Sequence, residues 1–437
     1  MNTGTIVADS LSRDFPGLKP RTASLETVPG MASVVIGMRR SGKTCLMFRE
    51  IERLLAEGVE RSRILYVNLE DDRLYPIQDN ILPDILESFY RQTAAPRDSR
   101  VFIFLDEVQA VQGWSRFARR ILDTEKVSLF VTGSSAKMLS SEVATEFRGR
   151  GFTTEVFPLS FREYLSWKGI GVSAPPYGAR IRSLMEKSLP EYLRQGGFPG
   201  VQELKEHQRI QVLQSYVELV ILRDIMERHG LGNLQAIRGF VMFLLQSSAG
   251  LVSVNKVYRD LSSRGIRVGK ETLYELLNHL TDAFLLSSVT LFHRSLRVRQ
   301  SNPRKVYTVD PGLSFAFSPS GTSNTGRRLE EAVFLQLRRR AASSRPATIC
   351  YYRTKSCKEV DFVFGDPDTG MARKLIQVCA DMADGGTRKR EIEALEEAME
   401  ETGLRESCII TLFEEGEVGS VQGNIRILPA WKWFLEG

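Results

Sequence analysis

The sequence predicts an α/β protein, a parallel sheet covered by helices, with further helical and α/β segments behind it. Three observations carry this. The apolar run Val34-Val35-Ile36 leads through Gly37-Met38-Arg39-Arg40-Ser41-Gly42-Lys43-Thr44 into Cys45-Leu46-Met47-Phe48-Arg49-Glu50-Ile51, where apolar residues recur at helical spacing. From there to about Phe157, short apolar runs alternate with helical stretches, as parallel strands buried on both faces require. One of those runs ends in the acidic pair Asp106-Glu107.

The first stretch has the pattern G-x-x-x-x-G-K-[ST] between a strand and a helix, which is that of a phosphate-binding loop. Backbone N–H groups must curl around a phosphate, so glycine stands where a side chain would obstruct the approach. The helix N-terminus behind the loop adds partial positive charge. Gly37, Arg39, Arg40, Ser41, Gly42, Lys43, Thr44 and Cys45 are therefore candidate nucleotide contacts. Lys43 is expected to reach the β- and γ-phosphates, and the Thr44 hydroxyl to bind Mg²⁺. The chain reads as binding ATP, with other purine nucleotides left open because the loop reads phosphates and not bases.

Further strands are expected at Ile64-Leu65-Tyr66-Val67-Asn68-Leu69, Val101-Phe102-Ile103-Phe104-Leu105 and Leu129-Phe130-Val131-Thr132. After the second of these, Asp106 is placed to hold Mg²⁺, and Glu107 to polarise the attacking water as a general base. After the third comes Thr132-Gly133-Ser134-Ser135, where Ser134 first and Thr132 second are candidates to contact the γ-phosphate or the water. Simple turn chemistry explains the same residues equally well.

Length and composition bound the rest. A chain of 437 residues has room for two to four domains, and 42% apolar with 26% charged residues is ordinary for globular protein. The opening residues lack a basic stretch followed by an apolar run, and no segment approaches the ~20 apolar residues that span a bilayer. Five scattered cysteines without C-x-x-C spacing and four dispersed histidines suggest reduced thiols in a cytoplasmic protein, with no zinc site. The net charge of +6 permits nucleic-acid binding without requiring it.

Several motifs together resemble those of one group of bacterial and archaeal AAA+ ATPases. They are the phosphate-binding loop, Leu105-Asp106-Glu107-Val108-Gln109 with Trp114, Thr132-Gly133-Ser134-Ser135, Phe147-Arg148-Gly149-Arg150, Phe157-Pro158-Leu159-Ser160-Phe161-Arg162-Glu163-Tyr164 and Gly196-Gly197-Phe198-Pro199. In that group the ATPase is followed by a winged helix and a nuclease-like C-terminal domain, and the resemblance covers nearly all of the chain beyond residue 30. It implies a homo-oligomer in which Arg148 or Arg150 reaches a neighbour's γ-phosphate as an arginine finger. A surface arginine paired with Glu146 or Glu155 is the plainer alternative. It also implies that Pro199 lies near the adenine, although Gly197-Phe198-Pro199 alone is no more than a helix stop.

The expected organisation is a lead-in over 1–30, the P-loop core over 31–157, a helical lid over 158–230, a winged helix over 231–316 and a nuclease-like domain over 317–437. In the winged helix, residues 269–280 form the recognition-type helix, and strands at 285–289 and 305–309 bracket a basic wing. Arg264, Arg267, Lys270, Arg294, Arg297 and Arg299 are the DNA-contact candidates, with no base-reading pattern among them. In the last domain the order helix, three strands, helix, strand is that of the restriction-endonuclease-like core. Glu330 and Asp361 fit its acid positions, but Gln377 and Cys379 stand where Glu and Lys are needed. Lys355 or Lys358 could compensate only by pointing inward, so this domain reads as an inactive nuclease relative.

The functional expectation is Mg²⁺-dependent ATP hydrolysis coupled to DNA binding or remodelling. The alternative is a nucleotide-driven signalling switch with a protein partner, and behind it a metal-dependent DNA nuclease.

Overall fold

The structure, a computed structural model, describes residues 3–15, 17–93, 99–134, 147, 149–172, 174–318, 324–342 and 348–436. The chain divides into two compact units, Met1–Phe157 with Asp282–Phe284, and Pro158–Thr281 with Leu285–Gly437.

The first unit is built on five parallel strands: β1 (Ala32–Ile36), β2 (Ile64–Asn68), β3 (Val101–Asp106), β4 (Val127–Gly133) and β5 (Gly151–Glu155). They are ordered β2-β3-β4-β1-β5. Every residue of β1, β3 and β4 is buried, which accounts for their unbroken apolar runs. The half-exposed edge strand β5 reads Gly-Phe-Thr-Thr-Glu and has no such run; pairing from Ala32↔Gly151 to Ile36↔Glu155 defines it instead. The helix Lys43–Ala56 buries Leu46, Met47, Ile51 and Leu54 against Val35, Phe104 and Phe130, whose two rings stack 4.4 Å apart. The lead-in holds a helix at Thr3–Ser12. Only ten residues long, it shows too few turns for its buried Ile6 and Val7 to announce a period. Its Ser10 hydroxyl accepts the Tyr66 N–H at 3.0 Å.

The second unit opens with helices Phe161–Trp167, Ala179–Gln195 and Glu206–Leu219, the last continuing as the wider-turned Val220–Glu227. A reciprocal cap between Ser160 and Glu163 starts the first of them. Then come helix Leu234–Gln246, β6 (Gly250–Val252), helices Val254–Ser263 and Lys270–Asp282, β7 (Leu286–Val289) and β8 (Arg304–Thr308). The strands pair antiparallel in the order β6-β8-β7. The basic stretch between β7 and β8, expected as an open wing, contains a short helix, Leu296–Ser301, capped by the Ser295 hydroxyl.

Beyond the helices Pro311–Ala316 and Thr325–Ala342 lies a six-stranded sheet: β9 (Thr348–Arg353), β10 (Glu359–Asp366), β11 (Met371–Val378), β12 (Glu406–Thr411), β13 (Gly416–Ser420) and β14 (Gly423–Pro429). Its order is β13-β14-β12-β11-β10-β9, with β11, β12 and β14 mutually parallel. Helices Gly385–Thr402 and Ala430–Leu435 complete it. One hydrophobic cluster joins the first helices of the unit to the C-terminal sheet through Phe161, Leu189, Tyr192, Tyr307, Phe334, Phe362, Ile376 and Trp431. The fold is therefore mixed α/β, a parallel five-stranded sheet with an additional C-terminal sheet domain. Among the described residues, no helix is long and apolar enough to cross a membrane.

Candidate functional site

The loop after β1 is shaped by backbone that only special residues adopt. Gly37 and Gly42 have φ of 142° and 106°, and Arg40 has 68°. A Cβ on Gly37 would stand 2.3 Å from the Val156 carbonyl oxygen, so no larger residue fits there. Gly42 caps the helix Lys43–Ala56, directing its first N–H groups toward the loop. Lys43, 4% exposed, folds its ammonium back onto the Gly37 and Met38 carbonyls at 3.1 and 3.3 Å. Ser41 is fully buried, Cys45 is exposed, and Arg39 pairs with Glu70 at 3.1 Å.

Strand order brings the acidic pair to this loop. β4 lies between β1 and β3, so all three C-terminal ends converge on one point, where α/β sheets receive ligands. The Thr44 hydroxyl donates to Asp106 Oδ2 at 2.8 Å, and the Tyr66 hydroxyl donates to the same oxygen at 2.9 Å. The Thr132 hydroxyl donates to Asp106 Oδ1 and accepts the Glu107 N–H at 2.9 Å. Burial, reinforced by the Glu107 charge, raises the Asp106 pKa. Glu107 sits at φ 56°, its carboxylate 3.8 Å from the Lys43 ammonium and hydrogen-bonded by Gln109. Thr132, the second choice on this strand end, touches both acids; Ser134 is fully buried.

Two contributors had no sequence signal. Tyr66 looked like one more buried strand residue, and only the register of β2 on β3 sets it beside Asp106. Arg21 comes from the lead-in and donates to the Ser41 and Phe157 carbonyls at 3.1 and 2.6 Å, bracing the loop from outside.

The remaining candidates are dispersed. Arg148 and Glu146 lie outside the described residues; Arg150 is half exposed and pairs with Asp123. Pro199 starts a turn in the second unit, where Gly197 packs against Leu159 and donates its N–H to Asp310. Arg264 is paired with Asp260 at 3.1 Å; Arg267, Lys270 and Arg297 are exposed. Arg299 is ion-paired with Asp368, and Arg294 lies against Gly370, so two of the three wing arginines rest on the turn between β10 and β11.

The degenerate nuclease positions are arranged differently from expectation. Gln377 and Cys379 share one face, as their spacing requires, but that face meets the helix Gly385–Thr402. Gln377 accepts the Asp361 N–H at 3.0 Å and donates to Glu391 at 2.6 Å, while the Cys379 thiol bonds the Asp381 carbonyl at 3.1 Å. Lys358 pairs with Glu393 at 3.2 Å, and Lys355 is exposed. The lysine that does meet the acids is Lys305 of β8. Its ammonium lies 3.0, 2.8 and 2.8 Å from Glu330, Glu359 and Asp361, with the side chain 3% exposed. The Tyr307 hydroxyl adds a bond to Glu330 at 2.7 Å, and the Val378 N–H one to Asp361 at 2.9 Å. Burial, with Asp361 next, pushes the Glu330 carboxyl up. No group of three or more His, Cys, Asp and Glu among the described residues is arranged to hold a metal ion.

A family profile described as an AAA domain matches residues 30–165, and one described as a domain of unknown function matches residues 186–324. The "uncharacterized protein MJ1544" of Methanocaldococcus jannaschii is 32% identical over 423 residues, 95% of this chain and 90% of that protein. An uncharacterised protein of Haemophilus influenzae is 27% identical over 330 residues, 76% of this chain and 78% of its own. Among solved structures, the Orc1 protein of Aeropyrum pernix in complex with DNA is matched over 72% of this chain and 89% of that one. Its TM-score is 0.31 and its identity 15%, too loose to carry residue roles across. With the AAA match over the P-loop unit and an archaeal relative aligned over nearly its whole length, the chain belongs to the AAA+ superfamily, in the family it shares with MJ1544.

Proposed function

We propose that this chain is a Mg²⁺-dependent ATPase that couples its nucleotide state to DNA binding or remodelling. The carrying observation is the 2.8 Å bond between Thr44 and Asp106, with Glu107 held 3.8 Å from Lys43. A hydroxyl and a carboxylate side by side are hard oxygen donors suited to Mg²⁺, which when bound neutralises charge on the β- and γ-oxygens. Lys43 would exchange its two carbonyl partners for phosphate oxygens. Glu107 would orient the attacking water and accept its proton as the water attacks the γ-phosphorus opposite the departing bridging oxygen. Thr132 would fix both acids so that neither must reorganise during the step. Arg148 or Arg150 from a neighbouring copy would add charge at the γ-phosphate, so specific activity is expected to rise with protein concentration. A dilution series of constant specific activity removes the arginine finger.

The DNA output is tested by steady-state ATPase rates with single-stranded, duplex and branched DNA at two salt concentrations. Stimulation by one DNA form that fades with salt and is absent in Lys43→Ala supports it; rates indifferent to DNA overturn it. Arg294 and Arg299 favour the second reading, a nucleotide-driven switch with a protein partner, because both lie against the 366–370 turn of the C-terminal sheet domain. Lys305 argues against the nuclease: its ammonium sits where a metal ion would have to enter. Plasmid nicking abolished by Asp361→Ala would reverse that.

A further inference from the structure

The C-terminal sheet carries a second concentration of charge, on the strand and helix that also carry Gln377 and Glu330. At the N-terminal ends of β11, β12 and β14, the helices Thr325–Ala342 and Ala430–Leu435 leave a cleft of about 350 Å³. Arg340, Arg373, Lys374 and Arg426 line it, against two acids, Glu406 and Glu436. Register explains the convergence: Cys408 pairs with Ile376 on one side and Arg426 on the other, so Arg426 and, two residues before Ile376, Lys374 stand on the face of Cys408. The buried Cys408 thiol is the floor of the cleft, ringed by the charges of Lys374, Arg426 and Arg340.

Elsewhere in the chain Arg53, Arg73, Arg182, Arg223, Arg238 and Arg299 each have a carboxylate in contact. None of the four in the cleft makes an ion pair with a described residue. Arg340 is the most constrained. Its guanidinium lies 4.0 Å from the centre of the Trp433 ring and bonds the Trp433 carbonyl at 2.6 Å, while its Nε is buried with no hydrogen-bond partner. Four cations without an ion pair to a described residue, set against two acids in one cleft, leave an excess of positive charge that suits an anion with several oxygens. The volume lies at the small end of ligand pockets, which suits one phosphate-bearing small molecule and not a duplex.

We propose that this cleft binds the phosphate of a small phosphomonoester of about mononucleotide size, independently of the P-loop. Arg340 and Arg426 grip the phosphate oxygens, and Lys374 with Arg373 supplies charge at the mouth. The test is equilibrium dialysis of AMP against the full chain carrying Lys43→Ala, which disables the P-loop. One equivalent of AMP is expected to bind, displaced by inorganic phosphate and not by adenosine. Arg426→Gln and Lys374→Gln, both at exposed positions, are each expected to weaken binding about tenfold, and Arg340→Gln to abolish it. If Arg340→Gln unfolds the domain, the two exposed variants decide the matter alone. Absence of AMP uptake, or uptake unchanged in both exposed variants, overturns the proposal. A short DNA duplex that displaces AMP more strongly than inorganic phosphate, and is itself lost with Arg426→Gln, also overturns it and assigns the cleft to nucleic acid.

Discussion

Among the described residues each unit buries one lysine near acids, and the two lysines are opposites. Lys43 and Lys305 are equally hidden, at 4% and 3% exposure. Lys43 leans on two neutral carbonyls and stands 3.8 Å from its nearest carboxylate, so its charge remains available to an incoming phosphate. Lys305 is in contact with three carboxylates at once, and its charge is fully engaged inside the fold. Burial therefore does not distinguish the lysine proposed to act on phosphate from the one locked inside the fold. The identity of its acceptors does: neutral carbonyls can be exchanged for a ligand, and a carboxylate triad cannot without leaving charge stranded.

The sharpest way to break this contrast is to neutralise each lysine in turn. Lys305→Met preserves the bulk of the side chain and leaves Asp361, Glu359 and Glu330 without their shared cation. It is expected to cost about 3–5 kcal/mol of the second unit's stability, read as a lower urea midpoint, with ATP binding at the P-loop retained. Acidification should restore part of the loss, because protonating the stranded carboxyls removes the unpaired charge. A midpoint unchanged from wild type would show that Lys305 holds nothing together. Lys43→Ala is expected to do the reverse, lowering the ATPase rate by about 10²–10³-fold, the cost of removing a preorganised donor, while the urea midpoint moves little. Loss of folding in Lys43→Ala would erase the distinction.

The two lysines were also unequally legible. Lys43 stands in a contiguous eight-residue motif whose strand and helix are its immediate neighbours, so local pattern sufficed. Asp106 and Glu107 were legible for the same reason, since an apolar strand ends in them. Lys305 reaches acids 25, 54 and 56 residues away, and its local sequence, Pro-Arg-Lys, reads as one more part of a basic wing. One missed strand shares this property: β5, an edge strand reading Gly-Phe-Thr-Thr-Glu, is held by pairing with β1 far back in the chain. Where structure comes from a distant partner, no periodicity records it.

A smaller effect comes from protons held by the second unit. Burial raises the Asp310 carboxyl to about 7, from 3.8 when exposed, even though the Gly197 and Gly312 N–H groups donate to it. Glu330 is shifted the same way. Between these values the folded chain keeps a proton that the unfolded chain releases. Stabilisation is thus present below about pH 4 and is lost as pH climbs through 7. The urea midpoint of wild type is expected to fall between pH 5 and pH 8, and Asp310→Asn to flatten that slope. A midpoint that rises over the same interval would show that depressed surface carboxylates dominate.

The same lesson extends to the wing arginines, where the expected effect is smallest. Arg299 contacts Asp368 and is 15% exposed, whereas Arg267 and Lys270 project at the start of the helix Lys270–Asp282 with no ion pair to a described residue. If a cation already neutralised within the fold is unavailable to a ligand, the two groups must differ in DNA binding. Arg267→Gln and Lys270→Gln should each reduce the slope of log K against log salt by about one. Arg299→Gln should leave the slope unchanged and lower stability slightly, by an amount within about 1 kcal/mol for an ion pair near the surface. A slope that falls with Arg299→Gln and holds with Arg267→Gln would mean that the turn at Asp368 releases its arginine to DNA. Internal neutralisation would then be a resting state, and Lys305 would have to be judged by the same standard.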